Sequence, residues 1–366
     1  MALRSLPALL VACRRADHTI PPRFSISKMG TPLKIGFVAL NDCAPLLMAR
    51  ELDLFSKYGV EVELSREVGW ATIRDKVLYG ELDAAHAVAG LAFSCTLGIG
   101  CVARECLSGL VLNLHGNAIT LSNAIFNPRV PAAEGLRLAI EQASERRLVF
   151  GVASPYSSHN FILCEWLRRC GVDPASQVEI VTVPPPQMHS NLLAGNLDGY
   201  CVGEPWNSLA VMRRTGWCVA TSAELAPRHP EKILLVRRRF AEEQHAQHVA
   251  VIAALIESCA FCDRPENRER VIETLALPQN VDGPVHALRK SMCGTFDYGH
   301  GRIEKDSDFH VFSRFNANEP TIEKGQWVLE QMSACRLLDE TTAPPELIAR
   351  TFRADLFHEA RGLVRE

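Results

Sequence analysis

The sequence predicts an α/β protein of two lobes, each a largely parallel sheet covered by helices, and three observations carry that expectation. Apolar runs of strand length alternate with stretches of helical spacing along most of the chain. The alternation comes as two series, separated by an apolar, β-branched stretch at 110–122 that reads as a strand crossing between lobes. The stretch 184–207 holds a strand end, a short helix and a second strand end. Helix mouths at the ends of parallel strands are where α/β proteins bind small ligands.

The elements follow in order. Residues 32–40 read as a first buried strand, and Leu46, Leu47, Ala49, Leu52 and Phe55 make one stripe of a helix over 43–58, closed by Gly59. A strand at 60–64, a helix at 72–79 and a strand at 82–88 complete the first series. The second series runs helix 131–146, strand 148–152, helix 158–169 and strand 178–183. Pro184, Pro185 and Pro186 stop that strand, because they donate no amide hydrogen bond and cannot continue a helix. Met188, Leu192 and Leu193 return to helical spacing; Asn196-Leu197-Asp198-Gly199 is turn chemistry leading into a strand at 200–202. Gly203-Glu204-Pro205-Trp206-Asn207 opens the next helix, with Pro205 tolerated near its first turn. Strands at 217–221 and 233–236 and helices at 241–263 and 266–277 come next. Beyond Ser291 the pattern is less regular: 296–301 is a glycine turn, and 321–334 and 345–354 read as helices packing back across the lobes. The expected division is an extension at 1–31, lobe one at 32–115 plus 210–290, lobe two at 116–209, and a C-terminal helical segment at 291–366.

Composition narrows the classes of function. The 366 residues are 47% hydrophobic and 22% charged, enough for two lobes with real cores. A net charge of −3 gives no reason to expect nucleic acid or an anionic membrane as the main partner. Thirteen cysteines, an odd number without framework spacing, suggest a reducing compartment and hence the cytoplasm. Against this, Leu10-Val11-Ala12-Cys13 has the look of a lipoprotein cleavage site, although its apolar run is short and Arg14-Arg15 follow at once. The preferred reading is an extension, with Met29 as a possible true start. A second apolar stretch, 84–103, is long enough to span a bilayer, yet it carries His86 and divides into a strand and a small-residue helix ending at Gly98. It is read as buried core, with no transmembrane segment.

Several motifs are set aside. Cys259 and Cys262 have C-x-x-C spacing inside a helical pattern with no second pair, and read as core cysteines. There is no Gly-rich phosphate loop, no metal cluster and no Ser-His-Asp order, so neither cofactor nor catalysis is expected. His86 reads as a buried, hydrogen-bonded residue and Glu204 as turned away into a structural bond; Asp297, Tyr298 and His300 are secondary candidates for closing a cleft mouth.

A resemblance is carried by Tyr58-Gly59-Val60-Glu61-Val62, Trp70-Ala71-Thr72-Ile73-Arg74-Asp75, Asp83-Ala84-Ala85-His86, Pro184-Pro185-Pro186-Gln187-Met188, Cys201-Val202-Gly203-Glu204-Pro205-Trp206-Asn207 and His229-Pro230-Glu231-Lys232, in that order. Over residues 32–356 the chain resembles the nitrate and bicarbonate solute-binding family of ABC importers. The resemblance implies a type II periplasmic-binding-protein fold whose two lobes close on a small oxyanion. Arg66-Glu67-Val68, Gly116-Asn117-Ala118-Ile119-Thr120, Asn207-Ser208-Leu209-Ala210-Val211 and Gln331-Met332 look most like a cytosolic sensor branch. Those sensors resemble the importer's binding protein, lack its export signal, and release a partner antiterminator in response to nitrate or nitrite.

The chemistry of such a ligand selects candidate residues. Nitrate is a planar monoanion whose oxygens accept hydrogen bonds, so a site needs converging donors, little desolvated negative charge and at most one full positive charge. Trp70 offers an indole donor just before a helix, and Asn117 an amide. His159 follows Ser157-Ser158, which read as an N-cap, so its ring and the first-turn amides can aim at an anion. Gly203 lets the backbone approach closely. Lys232 supplies the charge; by the resemblance it matches the importer lysine that meets nitrate, where the bicarbonate branch carries an acidic residue. Asn117 departs from the importer's glutamine. The preferred function is a cytosolic nitrate or nitrite sensor acting through a regulatory partner. The alternative is the substrate-binding lipoprotein of a nitrate/nitrite ABC transporter, anchored through Cys13 and delivering ligand to a permease. A third class, the pyrimidine-precursor synthases of thiamin biosynthesis, shares the implied fold but depends on a cysteine-dense iron motif absent here.

Overall fold

A computed structural model describes residues 31–143, 146–338 and 346–364; Cys13, Met29 and the rest of the expected extension before Thr31 lie outside them. The strands are β1 (Leu33–Val38), β2 (Val62–Glu67), β3 (Ala84–Val88), β4 (Cys106–Leu107), β5 (Val111–His115), β6 (Asn117–Ser122), β7 (Leu148–Val152), β8 (Val178–Thr182), β9 (Gly199–Gly203), β10 (Gly216–Thr221), β11 (Pro230–Arg237), β12 (Thr295–Gly299), β13 (Arg302–Lys305) and β14 (His310–Val311). They form a seven-stranded sheet ordered β14-β5-β11-β3-β1-β2, with β4 also on β11, a five-stranded sheet ordered β10-β6-β9-β7-β8, and the hairpin β12-β13.

The two larger sheets share one plan. In each, three parallel strands are flanked by an antiparallel one: β2-β1-β3 by β11, and β8-β7-β9 by β6. β3 is buried along its whole length and β1 at all but one position, as expected of strands covered on both faces. One apolar core packs the first sheet against helices Ala44–Glu51, His245–Asp263, Arg268–Ala276 and Ala354–Arg361. Another fills the second lobe around Ile119, Phe150, Ile162 and Leu167. A third joins the lobes, from Trp70, Ile73 and Phe93 in the first to Phe161, Met188 and Tyr200 in the second. Helix Ile322–Ala334 touches helix Gly90–Leu97 of lobe one and helix Ser158–Arg169 of lobe two, bracing both.

The chain crosses between sheets twice, and both crossings matter for the site. The stretch expected as one crossing strand at 110–122 is two strands in different sheets. His115 and Gly116 adopt φ of +62° and +99°, a reversal at which glycine carries no side-chain penalty. β5 therefore ends in lobe one and β6 begins in lobe two. The return crossing lies between β10 and β11. A boundary at 210 would put β10 in lobe one; instead it pairs antiparallel with β6, extending the second sheet.

Other differences are local. The helix expected at 43–58 breaks into Ala44–Glu51 and Leu54–Lys57, with Asp53 left-handed between them. The helix expected from 241 is Arg238–Glu243 followed by His245–Asp263. The latter is long and apolar enough to cross a membrane, but it is packed against helices Ala44–Glu51, Leu54–Lys57 and Ala354–Arg361 in the lobe-one core. Residues 84–103 form β3 and helix Gly90–Leu97, and the buried part of that helix belongs to the core joining the lobes.

Candidate functional site

The five residues singled out in the sequence meet where the lobes meet, in a cluster that excludes solvent. Asn117 is the first residue of β6, immediately after the first crossing, and Lys232 lies near the start of β11, just after the second. Trp70 opens helix Trp70–Tyr79 beyond the end of β2. His159 stands in the first turn of helix Ser158–Arg169, whose N-cap Ser157 accepts from the Asn160 amide. Gly203 ends β9 and pairs with Asn117 across the sheet. A side chain at Gly203 would press on Leu40 Cδ1 and Asn117 Oδ1, at 3.3 and 3.4 Å from the added carbon, so glycine leaves Asn117 its place.

Sequence reasoning missed the acidic half of this cluster. Lys232 Nζ lies 2.7 Å from Asp42 Oδ2 and also contacts Glu231 Oε1, with the Trp70 ring centroid 5.5 Å away. Asp42 Oδ1 accepts from His86 Nε2 at 2.8 Å. The expectation of little desolvated negative charge is therefore corrected: two carboxylates, each almost wholly buried, stand against one ammonium. Register shifts on both sides of Lys232 in the β11-β5 pairing explain how neighbouring residues reach one cluster, since a regular strand would send them to opposite faces. Asp42 follows the carboxyl end of parallel strand β1, the position where this class of sheet gathers ligands.

Glu231 is the most heavily bonded group. Its Oε2 accepts from Asn117 Nδ2 at 2.7 Å, from the Ser158 hydroxyl and from His229 Nε2 at 3.2 Å. Its Oε1 faces Lys232 and, at 3.4 Å, His159 Nε2, which also donates to Asn117 Oδ1 at 3.0 Å. His229 Nδ1 faces the Ala226 carbonyl oxygen at 2.8 Å, so both its ring nitrogens meet acceptors. Trp70 Nε1 is buried without a partner among the described residues, as is His159 Nδ1. The Trp70 indole N–H, a buried donor without an acceptor, costs free energy unless something else accepts from it.

The electrostatics follow from this packing. Burial acts to raise the Asp42 and Glu231 carboxyls, but Lys232, with His86 for the former and His229 and His159 for the latter, outweighs it and holds both below the usual carboxylate range. Burial acts to lower the Lys232 ammonium, and its two carboxylates raise it above the ordinary lysine value. For His159, burial is the main cause of a fall to about 4, with Lys232 adding to it. The ring is neutral at pH 7.

Of the remaining sequence candidates, His86 joins the cluster and the others settle elsewhere. His86 is buried, on Asp42, its ring centroid 5.4 Å from that of Trp70. Glu204 Oε2 accepts from the Ser208 amide in the first turn of helix Trp206–Met212, and burial lifts its carboxyl to about 7. Asp297, Tyr298 and His300 make their contacts outside the cluster. Asp297 pairs with Lys290 at 3.1 Å, Tyr298 packs on Phe296, and His300 stacks on Phe126 beside Trp217 of β10. Cys259 and Cys262 are buried in helix His245–Asp263, and burial pushes the Cys262 thiol up to about 12. A pocket of about 260 Å³ between the lobes is lined by Ala39, Arg66, Glu67 and Val68 of lobe one and Pro184, Pro186 and Gln187 of lobe two, none of them a member of the cluster. A larger cavity of about 520 Å³, beside Ile256, Phe357 and Val364, lies on the outside of lobe one and shares no residue with the cluster.

Residues 28–276 match the NMT1-like family. The chain belongs to that family. Relatives of this NMT1-like protein include NrtC, CmpC and NrtA. The nitrate import ATP-binding protein NrtC of Synechocystis is 37% identical over 90% of this chain and 49% of its own length. The bicarbonate transport ATP-binding protein CmpC of the same organism is 34% identical over 95% and 52%. The nitrate/nitrite binding protein NrtA of Synechococcus elongatus is 31% identical over 89% and 76%. The chain thus spans about half the length of the ATP-binding relatives and most of NrtA. Among solved structures, the periplasmic nitrate-binding protein NrtA of Synechocystis superposes with a TM-score of 0.87 at 27% identity, covering 91% of this chain and 88% of that one. The NMT1-like chain has the type II periplasmic-binding-protein fold, two α/β lobes with a ligand cleft between them.

Proposed function

We propose that the chain binds nitrate or nitrite in the interlobe cleft and serves as the solute-binding component of an ABC-type importer. One observation carries the reading: Asn117, Ser158, His159, His229 and Lys232 all turn toward a single planar carboxylate, with the indole N–H of Trp70 unpartnered nearby. Donors converging from both lobes around one cation suit a small planar monoanion. The homology to NrtA supports the same ligand, and the importer names of the relatives support a permease and an ATP-binding subunit as partners. No relative described above supports the cytosolic sensor with an antiterminator partner, so the transporter receptor is preferred. The ATP-binding names are not carried over, because the sequence holds no G-x-x-x-x-G-K-[ST] loop. Export with anchoring through Cys13 goes with this reading, and the mass of the mature N-terminus tests it.

His159→Ala removes one donor and is expected to weaken nitrate binding by about 1.5–3 kcal/mol, roughly ten- to a hundredfold in Kd by calorimetry. An unchanged Kd would place the ligand elsewhere. Lobe closure supplies a second test. A side chain at Gly90, at the start of helix Gly90–Leu97, would collide with the Tyr156 carbonyl oxygen of lobe two. Backbone on that side cannot swing away as a side-chain tip can. Gly90→Ala is therefore expected to hold the lobes apart and raise the nitrate Kd about tenfold, ~1.4 kcal/mol, with the fold intact by circular dichroism. The same Kd in this variant would mean that binding does not need the closed arrangement.

A further inference from the structure

We infer that Glu231 is a built-in competitor for the oxyanion: its carboxylate occupies the donor cradle, and a ligand binds by displacing it. This rests on the nitrate/nitrite reading and adds the residue that sets the affinity of the site.

The geometry makes the case. A carboxylate presents two oxygens in a plane around a trigonal carbon, close in shape and charge to the edge of a nitrate or nitrite ion. Glu231 meets the donors such an ion would need, from Asn117 and Ser158 of lobe two and from Lys232 beside it on β11. Its side chain is fully buried and bridges the lobes, so it does within the chain what a bound oxyanion would do between them. Lys232 does not depend on Glu231 alone, because Asp42 holds it from the other side at 2.7 Å. A retracting Glu231 therefore leaves the ammonium in place and positioned.

Competition of this kind lowers apparent affinity by the fraction of molecules in which the cradle is already filled. It also selects. A second carboxylate beside the ligand repels a monoanion unless it moves; the charged and titratable groups around it are Lys232 on its own strand, His229 just before it, His159 on the lobe-two helix, Asp42 beyond Lys232, and His86, His115 and His310 of lobe one. A purely structural Glu231 makes the opposite forecast, because loss of its bonds would loosen the cleft and weaken binding.

The test compares parent, Glu231→Gln and Glu231→Asp by calorimetric titration with sodium nitrate and sodium nitrite, with circular dichroism and thermal unfolding as checks of fold. Glu231→Gln keeps the shape and removes the charge; Glu231→Asp withdraws the carboxylate by one carbon. Both are expected to bind more tightly than the parent, Glu231→Gln by roughly tenfold or more, and Glu231→Asp decides the matter if the glutamine variant does not fold. Equal or weaker binding by folded variants, with the parent binding, would overturn the competitor role and leave the nitrate/nitrite reading standing. If parent and folded variants alike give no heat with either anion, the ligand reading itself fails and the inference falls with it.

Discussion

Lys232→Glu is expected to lose nitrate and nitrite binding altogether and to lower the stability of the ligand-free protein by about 3–5 kcal/mol. The two losses share a cause. Lys232 is fully buried, and its ammonium is the shared counter-charge of Asp42 and Glu231, both equally removed from water. The substitution leaves two desolvated carboxylates without their cation and adds a third beside them. Reversal of a buried partner is among the few single changes whose cost exceeds the ordinary range, because a buried charge can neither reach solvent nor find a new partner. A neutral Lys232→Met separates the effects: it keeps much of the volume, carries no new negative charge, and should be destabilised less while still failing to hold the anion. Urea unfolding and calorimetric titration check both. A Lys232→Glu protein that binds nitrate like the parent would place the anion site away from this cluster.

The second large effect lies outside the cleft, in how the C-terminal segment is tied to lobe one. Asp263 ends helix His245–Asp263, and its Oδ2 accepts from the amides of Ser313 and Arg314 at 3.0 and 2.7 Å, while Oδ1 accepts from Arg268 at 3.2 Å. Asp263→Ala strands the Ser313 and Arg314 amides and leaves Arg268, itself buried, without its carboxylate, for an expected loss of about 3–5 kcal/mol. Burial acts to raise the Asp263 carboxyl, but the Arg314 and Ser313 amides and the two arginines hold it below its ordinary value. Its folded value lies below the unfolded one of about 3.9, so its contribution is complete above that pH and is lost as pH falls through the folded value. The gap between parent and variant in urea midpoint should be full at neutral pH and narrow in acid. A gap that stays constant down to low pH would show that the carboxylate is not the source.

What the chain shows in advance, and what it hides, divides along the same physical line. Helix Ser158–Arg169 and strand β7 have the bounds read from the sequence, because each is set locally, the helix by a serine cap and an apolar stripe and the strand by a short apolar run. The crossing at 110–122 was legible as apolar and β-branched, but not as two strands: sheet membership is decided by distant partners, and the reversal at His115 and Gly116 leaves no periodic trace. The same holds for β10, whose partner β6 lies far back in the chain. In the site, Trp70, Asn117, His159, Gly203 and Lys232 come together, yet the acidic half was missed. A search for groups that attract an anion passes over Glu231, although it sits beside Lys232 in the quoted block, and over Asp42. A sharper signal was present for Asp42, in the loop beyond the carboxyl end of β1, where polar residues face the cleft. Glu231 leaves no such mark; only the irregular pairing around Lys232 brings it in.

The most direct test of the central claim is calorimetric titration of the full chain with nitrate, nitrite and bicarbonate under one set of conditions. Micromolar binding of nitrate or nitrite, with none of bicarbonate, is the predicted result. Binding of bicarbonate in preference to both, or no heat from nitrate and nitrite, would contradict it.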